Sequence, residues 1–245
     1  MTFERRRDEE KNWLKQLWQT EHLLRVREME KKFVPRCQSV VAMSAHDAKI
    51  LRTDWGVEHV FVQPNGIETI DFVPLRKNKP LTIGYIGGAG HPPNVQAVDY
   101  IMHDVKKAWP KEWEWHFTLA GAGFANLATN DVNYLGAIES TRDFYAQIDV
   151  LVAPLFAGSG TRLKIVEALS CGVPVVTTSV GAEGLDIESP FLRIAKAKSS
   201  EFLPNSMVDL IRYLRQNNPR DNKQAVVELK QKLQPFLWRE IFKEV

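Results

Sequence analysis

The stretch "GSGTRLKIVEALSCGVPVV", residues 158–176, decides how the rest of the chain is read. Two glycines with Ser159 and Thr161 lead into a run at 163–169 whose apolar residues recur at helical spacing, Gly172 closes it, and 173–176 reads as a buried strand. The stretch predicts loop, short helix and strand in that order. Its charge is the odd feature. A helix N-terminus carries roughly half a positive charge, and each cation placed there costs about 0.3–1 kcal/mol, yet Arg162 and Lys164 both fall in the first turn. A bound anion removes the conflict, because backbone N–H groups, helix dipole, Arg162 and Lys164 then all favour the same negative group. Glu167 lies three residues after Lys164 on the same face, where a carboxylate accepts hydrogen bonds from a ribose diol. The plain alternative is a surface Lys–Glu pair, here in the weaker order with lysine first.

Outward from this stretch the pattern is regular from residue 81. Apolar strands (LTIGYIGG, EWHFTLAGAG, VNYLG, DVLVAP, VPVVTTS, FLRIA), the first three ending in glycine, alternate with amphipathic helices, among them NVQAVDYIMHDVKKAW behind Pro92 and Pro93. Strands alternating with helices of this length imply crossover units and a parallel sheet covered on both faces. The fold class is therefore α/β, a doubly wound parallel sheet. Two further helices, 205–217 and 221–232, and a short one after Pro235 end the chain. In such sheets ligands bind beyond the carboxyl ends of the strands, and three loops there are glycine-rich: 87–94, 121–124 and 157–161. They suit phosphate, whose oxygens bare backbone N–H groups can wrap, or they are only tight turns.

Residues 1–73 read differently. A charged helix over 4–34, with Leu14, Leu17, Trp18, Val26, Met29 and Phe33 spaced by threes and fours, runs until Pro35. It reads first as an amphipathic helix packing on its own protein, and secondarily as a membrane-surface helix. A strand at 39–44, a helix capped by Ser44 and a strand at 59–63 follow, and the polar stretch 74–80 is the expected boundary.

Composition narrows the function classes. The net charge of +2, from 32 basic and 30 acidic residues, does not make nucleic acid the default partner. Two cysteines far apart, Cys37 and Cys171, exclude a disulfide scaffold and fit a reducing, cytoplasmic address. No run reaches the ~20 apolar residues of a membrane span; peripheral contact at the inner face of a membrane stays open. No Asp-x-Asp pair occurs, so a carboxylate platform of that kind for a divalent metal is missing, and neither metal nor cofactor is expected. His91, in a glycine loop, reads as surface or phosphate contact before it reads as catalytic.

Residues 154–185, PLFAGSGTRLKIVEALSCGVPVVTTSVGAEGL, resemble the donor-nucleotide half of GT-B glycosyltransferases of the large retaining group-1 family, which use nucleotide sugars. Supporting matches are HPPNVQAVDYI, FTLAGAG, VNYLGAI and VFVQPNGIETIDFVP, so the likeness runs over about 39–190. It implies that Lys164 and Arg162 hold the donor diphosphate as the catalytic cations, that Glu167 binds the ribose, and that Gly87, Gly88, Ser159, Gly160 and Thr161 border the phosphates. It also puts the backbone of Ala137 and Ile138 beside the base. Two features depart from the family. Ser159 stands where many members carry a sugar-contacting glutamate, and the loop after the first strand lacks the usual Arg and Lys, for which the cations of GTRLK compensate.

The family's N-terminal acceptor domain is longer than residues 1–73. The resemblance therefore implies a remnant of that domain and the crossing at 1–75, a Rossmann-like donor domain at 76–234, and a C-terminal helix at 235–245 crossing back. The implied activity is transfer of a sugar, with retention, from a nucleotide diphosphate sugar to a sugar or lipid-linked glycan acceptor in polysaccharide or cell-envelope synthesis. A non-catalytic nucleotide-sugar-binding subunit that needs a separate acceptor-domain protein, and a nucleotide-sugar epimerase or phosphorylase of the same architecture, are the alternatives.

Overall fold

A computed structural model describes residues 13–63, 65–74, 76, 79–157, 161–195 and 203–241, with the side chains of 13–19 and of residue 203 left aside. The parts of the expected helices at 4–12 and 242–245, and Ser159 and Gly160, lie outside the described residues. Contacts group the chain into two compact units, one of residues 1–65 with 157–161 and one of 66–156 with 162–245.

In the first unit, helix α1 (Trp13–Phe33) ends in a 3-10 turn at Val34–Arg36, where Pro35 withholds the N–H a longer helix would need. Strand β1 (Val40–Ala42), helix α2 (Ala45–Thr53) and parallel strand β2 (Val60–Val62) follow. Ser44 caps α2 as its sequence predicts, its hydroxyl accepting from the Asp47 N–H at 3.0 Å. The core of this unit is small: Ala42, Ala48, Val57 and Val60. The expected packing face of α1 is only partly covered, for Leu23 is buried while Met29 and Phe33 are 59% and 54% exposed.

The second unit carries the fold. Strands β3 (Ile83–Ile86), β4 (Phe117–Ala120), β5 (Val132–Gly136), β6 (Val150–Ala153), β7 (Val175–Thr178) and β8 (Leu192–Ala195) form one parallel sheet in the order β5-β4-β3-β6-β7-β8. Strands β4, β6 and β7 are buried at every residue, as a sheet covered on both faces requires. Helix α3 (Pro92–Tyr100) begins with the two prolines, widens into a π-helical turn at Ile101–Val105 and ends with Lys106–Ala108. The π turn has no counterpart in the sequence reading. Helix α4 (Thr141–Tyr145) leads into β6, α5 (Leu163–Ser170) into β7, and α6 (Ser179–Ala182) follows β7. Of the last helices, α7 (Leu203–Gln216) packs on the π turn of α3, α8 (Lys223–Leu233) packs on α5, and α9 (Trp238–Ile241) closes the described chain.

The units divide at Asn65 and Gly66, ahead of the polar stretch 74–80 where a boundary was expected. The reason is local pairing. Ile67 exchanges backbone hydrogen bonds with Phe236 and Trp238, and the Val73 N–H donates to the Cys171 carbonyl at 2.9 Å, so 66–74 is stitched onto the second unit. The loop at 157–161, expected within the donor domain, groups with the first unit instead, where Thr161 Oγ1 donates to the Met43 carbonyl at 3.0 Å.

Candidate nucleotide site

The sheet order reverses at β3 and β6, adjacent strands whose following helices lead the chain toward opposite edges. Such a switch point is where a doubly wound sheet opens a crevice for a ligand. The residues after β3 and the start of α5 stand there.

Lys164, second residue of α5, is the centre of the arrangement. Its ammonium donates to the Tyr85 hydroxyl and to Asn94 Oδ1, both at 2.8 Å, and lies 4.2 Å from the centroid of the Tyr85 ring. The Tyr85 hydroxyl donates to the same Asn94 oxygen at 2.8 Å, and Asn94 Nδ2 donates to the Gly88 carbonyl at 2.9 Å. Burial, and secondarily the charge of Arg162, bring the Lys164 pKa down to about 7, while Glu167 acts in the opposite sense. The hydrogen-bond partners of Lys164 among the described residues are neutral, so neither is an anion that would hold its proton. Glu167 does not fill that role: it is half-buried, its own pKa is raised by desolvation, and its Oε2 accepts from the Tyr145 hydroxyl at 3.3 Å. Tyr145, fully buried on α4, also donates to the Lys164 carbonyl at 2.9 Å, which fixes the first turn of α5.

Arg162 behaves differently from its neighbour. It is the residue before α5, only 8% exposed, and its guanidinium donates to the Val180 carbonyl at 3.3 Å and lies 4.0 Å from the Glu183 carboxylate. The opening charge conflict is thus partly resolved inside the fold, since one of the two cations faces a carbonyl and a carboxylate near α6.

The glycine loops after β3 and β4 lean on one another. The Gly87 N–H donates to the Ala120 carbonyl, the Ala89 N–H to the Ala122 carbonyl and the Gly121 N–H to the Gly136 carbonyl, at 2.7–2.9 Å. Gly121 has φ +122°, and a Cβ there would lie 2.3 Å from the Gly87 carbonyl oxygen. Backbone contact between loops is therefore one demand that these glycines meet, and it leaves the amides of Gly87, Ala89 and Gly121 already occupied. Gly88 offers its carbonyl to Asn94. Ala137 is exposed just past β5 and Ile138 is half-buried against the core. His91 is the exposed residue before α3.

Sequence reasoning missed Tyr85 and Asn94. Tyr85 sits in an apolar strand and reads as core; the one available signal was Asn94 directly behind Pro92 and Pro93, a polar side chain in the first turn of a helix that opens on a glycine loop. Among the described residues no group of His, Cys, Asp or Glu is placed to hold a metal ion.

The model of the family described as glycosyl transferases group 1 matches residues 80–212, more than half of the chain. The chain belongs to the group-1 glycosyl transferases. Solved structures agree with that membership at the level of fold. The pneumococcal O-GlcNAc transferase GtfA, in complex with UDP and GlcNAc, is 16% identical with a TM-score of 0.65 over 88% of this chain and 45% of its own. Sucrose-phosphate synthase from Thermosynechococcus elongatus gives 17%, 0.66, 88% and 58%, and HepE of Anabaena with UDP and glucose gives 18%, 0.68, 90% and 65%. The chain thus spans about half to two thirds of the length of these proteins. No curated protein sequence matches it.

Proposed function

We propose that this group-1 chain binds the diphosphate of a nucleotide-sugar donor at Lys164 and serves glycosyl transfer from that donor. The observation that carries the reading is the Lys164 ammonium, half-buried at the switch point, whose hydrogen-bond partners among the described residues are neutral oxygens and whose pKa desolvation and the charge of Arg162 lower. Family membership and structural neighbours crystallised with UDP and sugars support the same ligand class.

In the reaction the bond between the sugar C1 and the β-phosphate oxygen breaks, its electron pair passes to that oxygen, and an acceptor hydroxyl forms the new C1–O bond. The acceptor's proton leaves to the diphosphate or to water. Positive charge fixed before the reaction stabilises the leaving diphosphate without reorganisation; Lys164 and the N-terminus of α5 supply it, and Arg162 adds a longer-range share. Glu167, steadied by Tyr145, receives the ribose hydroxyls, Gly87 and Gly88 line the phosphate path, and Ala137 and Ile138 face the base. Transfer proceeds with retention, needs no divalent metal, and uses a sugar or lipid-linked glycan acceptor in polysaccharide or cell-envelope synthesis, in the cytoplasm or at the inner membrane face. Among the described residues no helix is long and apolar enough to cross a membrane.

The chain spans 45–65% of these neighbours' lengths, and a second reading is that it binds the donor while an acceptor domain outside the given residues, in the same or a separate protein, completes the transferase. Incubation with UDP-glucose, UDP-GlcNAc and their GDP and dTDP counterparts, with release of nucleoside diphosphate as readout, tests the first reading. Release by wild type but not by Lys164→Ala supports it; equal release by both sinks it. Release that requires a co-expressed acceptor domain selects the second.

A further inference from the structure

Asn94 touches Lys164, Tyr85 and the loop of Gly87 and Gly88. Its Oδ1 accepts from Lys164 and from Tyr85, its Nδ2 donates to the Gly88 carbonyl, and its side chain fills the space a Cβ on Gly87 would need, 2.6 Å away. The amide has one workable orientation. Turned over, it would press N–H donors against an ammonium and a hydroxyl and set its oxygen against the Gly88 carbonyl. Tyr85 is fully buried on β3, so its ring and hydroxyl form a fixed wall behind the ammonium. One helix (α3), one strand (β3) and one loop therefore determine where the charge of a second helix (α5) stands.

We infer that Asn94 and Tyr85 are positioning residues of the donor site, holding the Lys164 ammonium and the Gly87-Gly88 loop in register so that both meet the same diphosphate. The inference rests on the reading of Lys164 as the diphosphate ligand. Two of the three ammonium hydrogens are spent on Asn94 and Tyr85, and the third is left to point at the anion. The other charged or titratable groups that act on Lys164 are Arg162 and Glu167 on its own stretch, with Tyr145 of α4 bonded to Glu167. Asn94 is neutral, so its exchange for aspartate adds a charge at a fixed contact without changing side-chain shape.

The test begins without nucleotide. The Lys164 side-chain signal, assigned by its loss in Lys164→Ala, is titrated by NMR in wild type, Asn94→Asp, Asn94→Ala and Tyr85→Phe. The expected result is a midpoint that rises in Asn94→Asp and falls in Asn94→Ala, opposite signs that a merely structural role does not produce. UDP and inorganic pyrophosphate are then bound to the same proteins. Loss of one hydrogen bond to a charged group predicts about tenfold weaker binding of both probes in Asn94→Ala, and a similar loss in Asn94→Asp, whose carboxylate competes with the ligand. An unchanged Lys164 midpoint across the variants overturns the inference, as do affinities within twofold of wild type. If Lys164→Ala alone weakens both probes, positioning fails and the diphosphate reading stands; if Lys164→Ala binds as wild type, the diphosphate reading fails. Should the Asn94 variants not fold, Tyr85→Phe, which removes a single oxygen, decides by the same midpoint and affinity measurements.

Discussion

The burial of Lys164 predicts a pH dependence of stability with a definite sign. In the unfolded chain a lysine binds its proton up to about pH 10.4, whereas in the folded protein burial lowers the pKa of Lys164 to about 7. Between those values the unfolded state binds more protons than the native state, so stability rises with pH across that window. Below pH 7 the native state carries the full cost of a buried ammonium. For a pKa of about 7, the two-state linkage relation gives a gain of about 2 kcal/mol between pH 7 and pH 9. Urea unfolding of wild type and Lys164→Met at pH 6.5, 8 and 9 isolates this contribution, because methionine keeps the bulk and lacks the titration. The wild-type minus variant difference should grow by about 2 kcal/mol toward pH 9. A flat difference, or one that shrinks with pH, refutes the claim that the ammonium is buried without an anion. The same titration has a ligand counterpart: at pH 8 the empty site is about nine-tenths neutral, so UDP binding should take up close to one proton, measured calorimetrically in buffers of different ionisation enthalpy.

Other expectations concern the backbone and the groups around that charge. Gly121→Ala should lower stability by roughly 3 kcal/mol or more through backbone strain and the clash with the Gly87 carbonyl, whereas Gly90→Ala, which meets nothing within 4 Å, should leave the melting temperature unchanged. Tyr145→Phe removes the bonds to the Lys164 carbonyl and to Glu167 and should cost about 1 kcal/mol in urea unfolding. Glu167→Ala should weaken UDP binding by about tenfold while leaving pyrophosphate binding unchanged; equal loss of both probes would exclude a ribose contact. Ser44→Ala should destabilise α2 by about 1 kcal/mol, read from hydrogen exchange of its amides.

The parallel sheet was legible because its strands are short apolar runs, β3, β4 and β5 ended by glycine, that alternate with helical patterns, signals that depend on local sequence alone. The same holds for the cap at Ser44 and for the loop, helix and strand around Lys164. What escaped the sequence is what tertiary contact decides. Tyr85 reads as an ordinary core aromatic until β3 sets its hydroxyl beside α5. Arg162 and Lys164 look equivalent in the chain, yet Arg162 lies just before the helix with non-helical backbone angles and its guanidinium turns toward Val180 and Glu183. Gly87 and Gly121, read for phosphate, also permit two loops to touch through their backbones, a demand no single loop reveals. The segment 66–74 reads as part of an interdomain crossing ahead of the polar stretch 74–80, and only its pairing with Phe236, Trp238 and Cys171 assigns it to the second unit.

The central claim, that the start of α5 with Lys164 receives a donor diphosphate, is tested most directly by calorimetric titration of wild type and Lys164→Ala with UDP, GDP, dTDP and ADP at pH 7. The account predicts that at least one nucleoside diphosphate binds wild type and that Lys164→Ala binds it at least about tenfold more weakly. Equal affinity of the two proteins for every nucleotide that binds would contradict it.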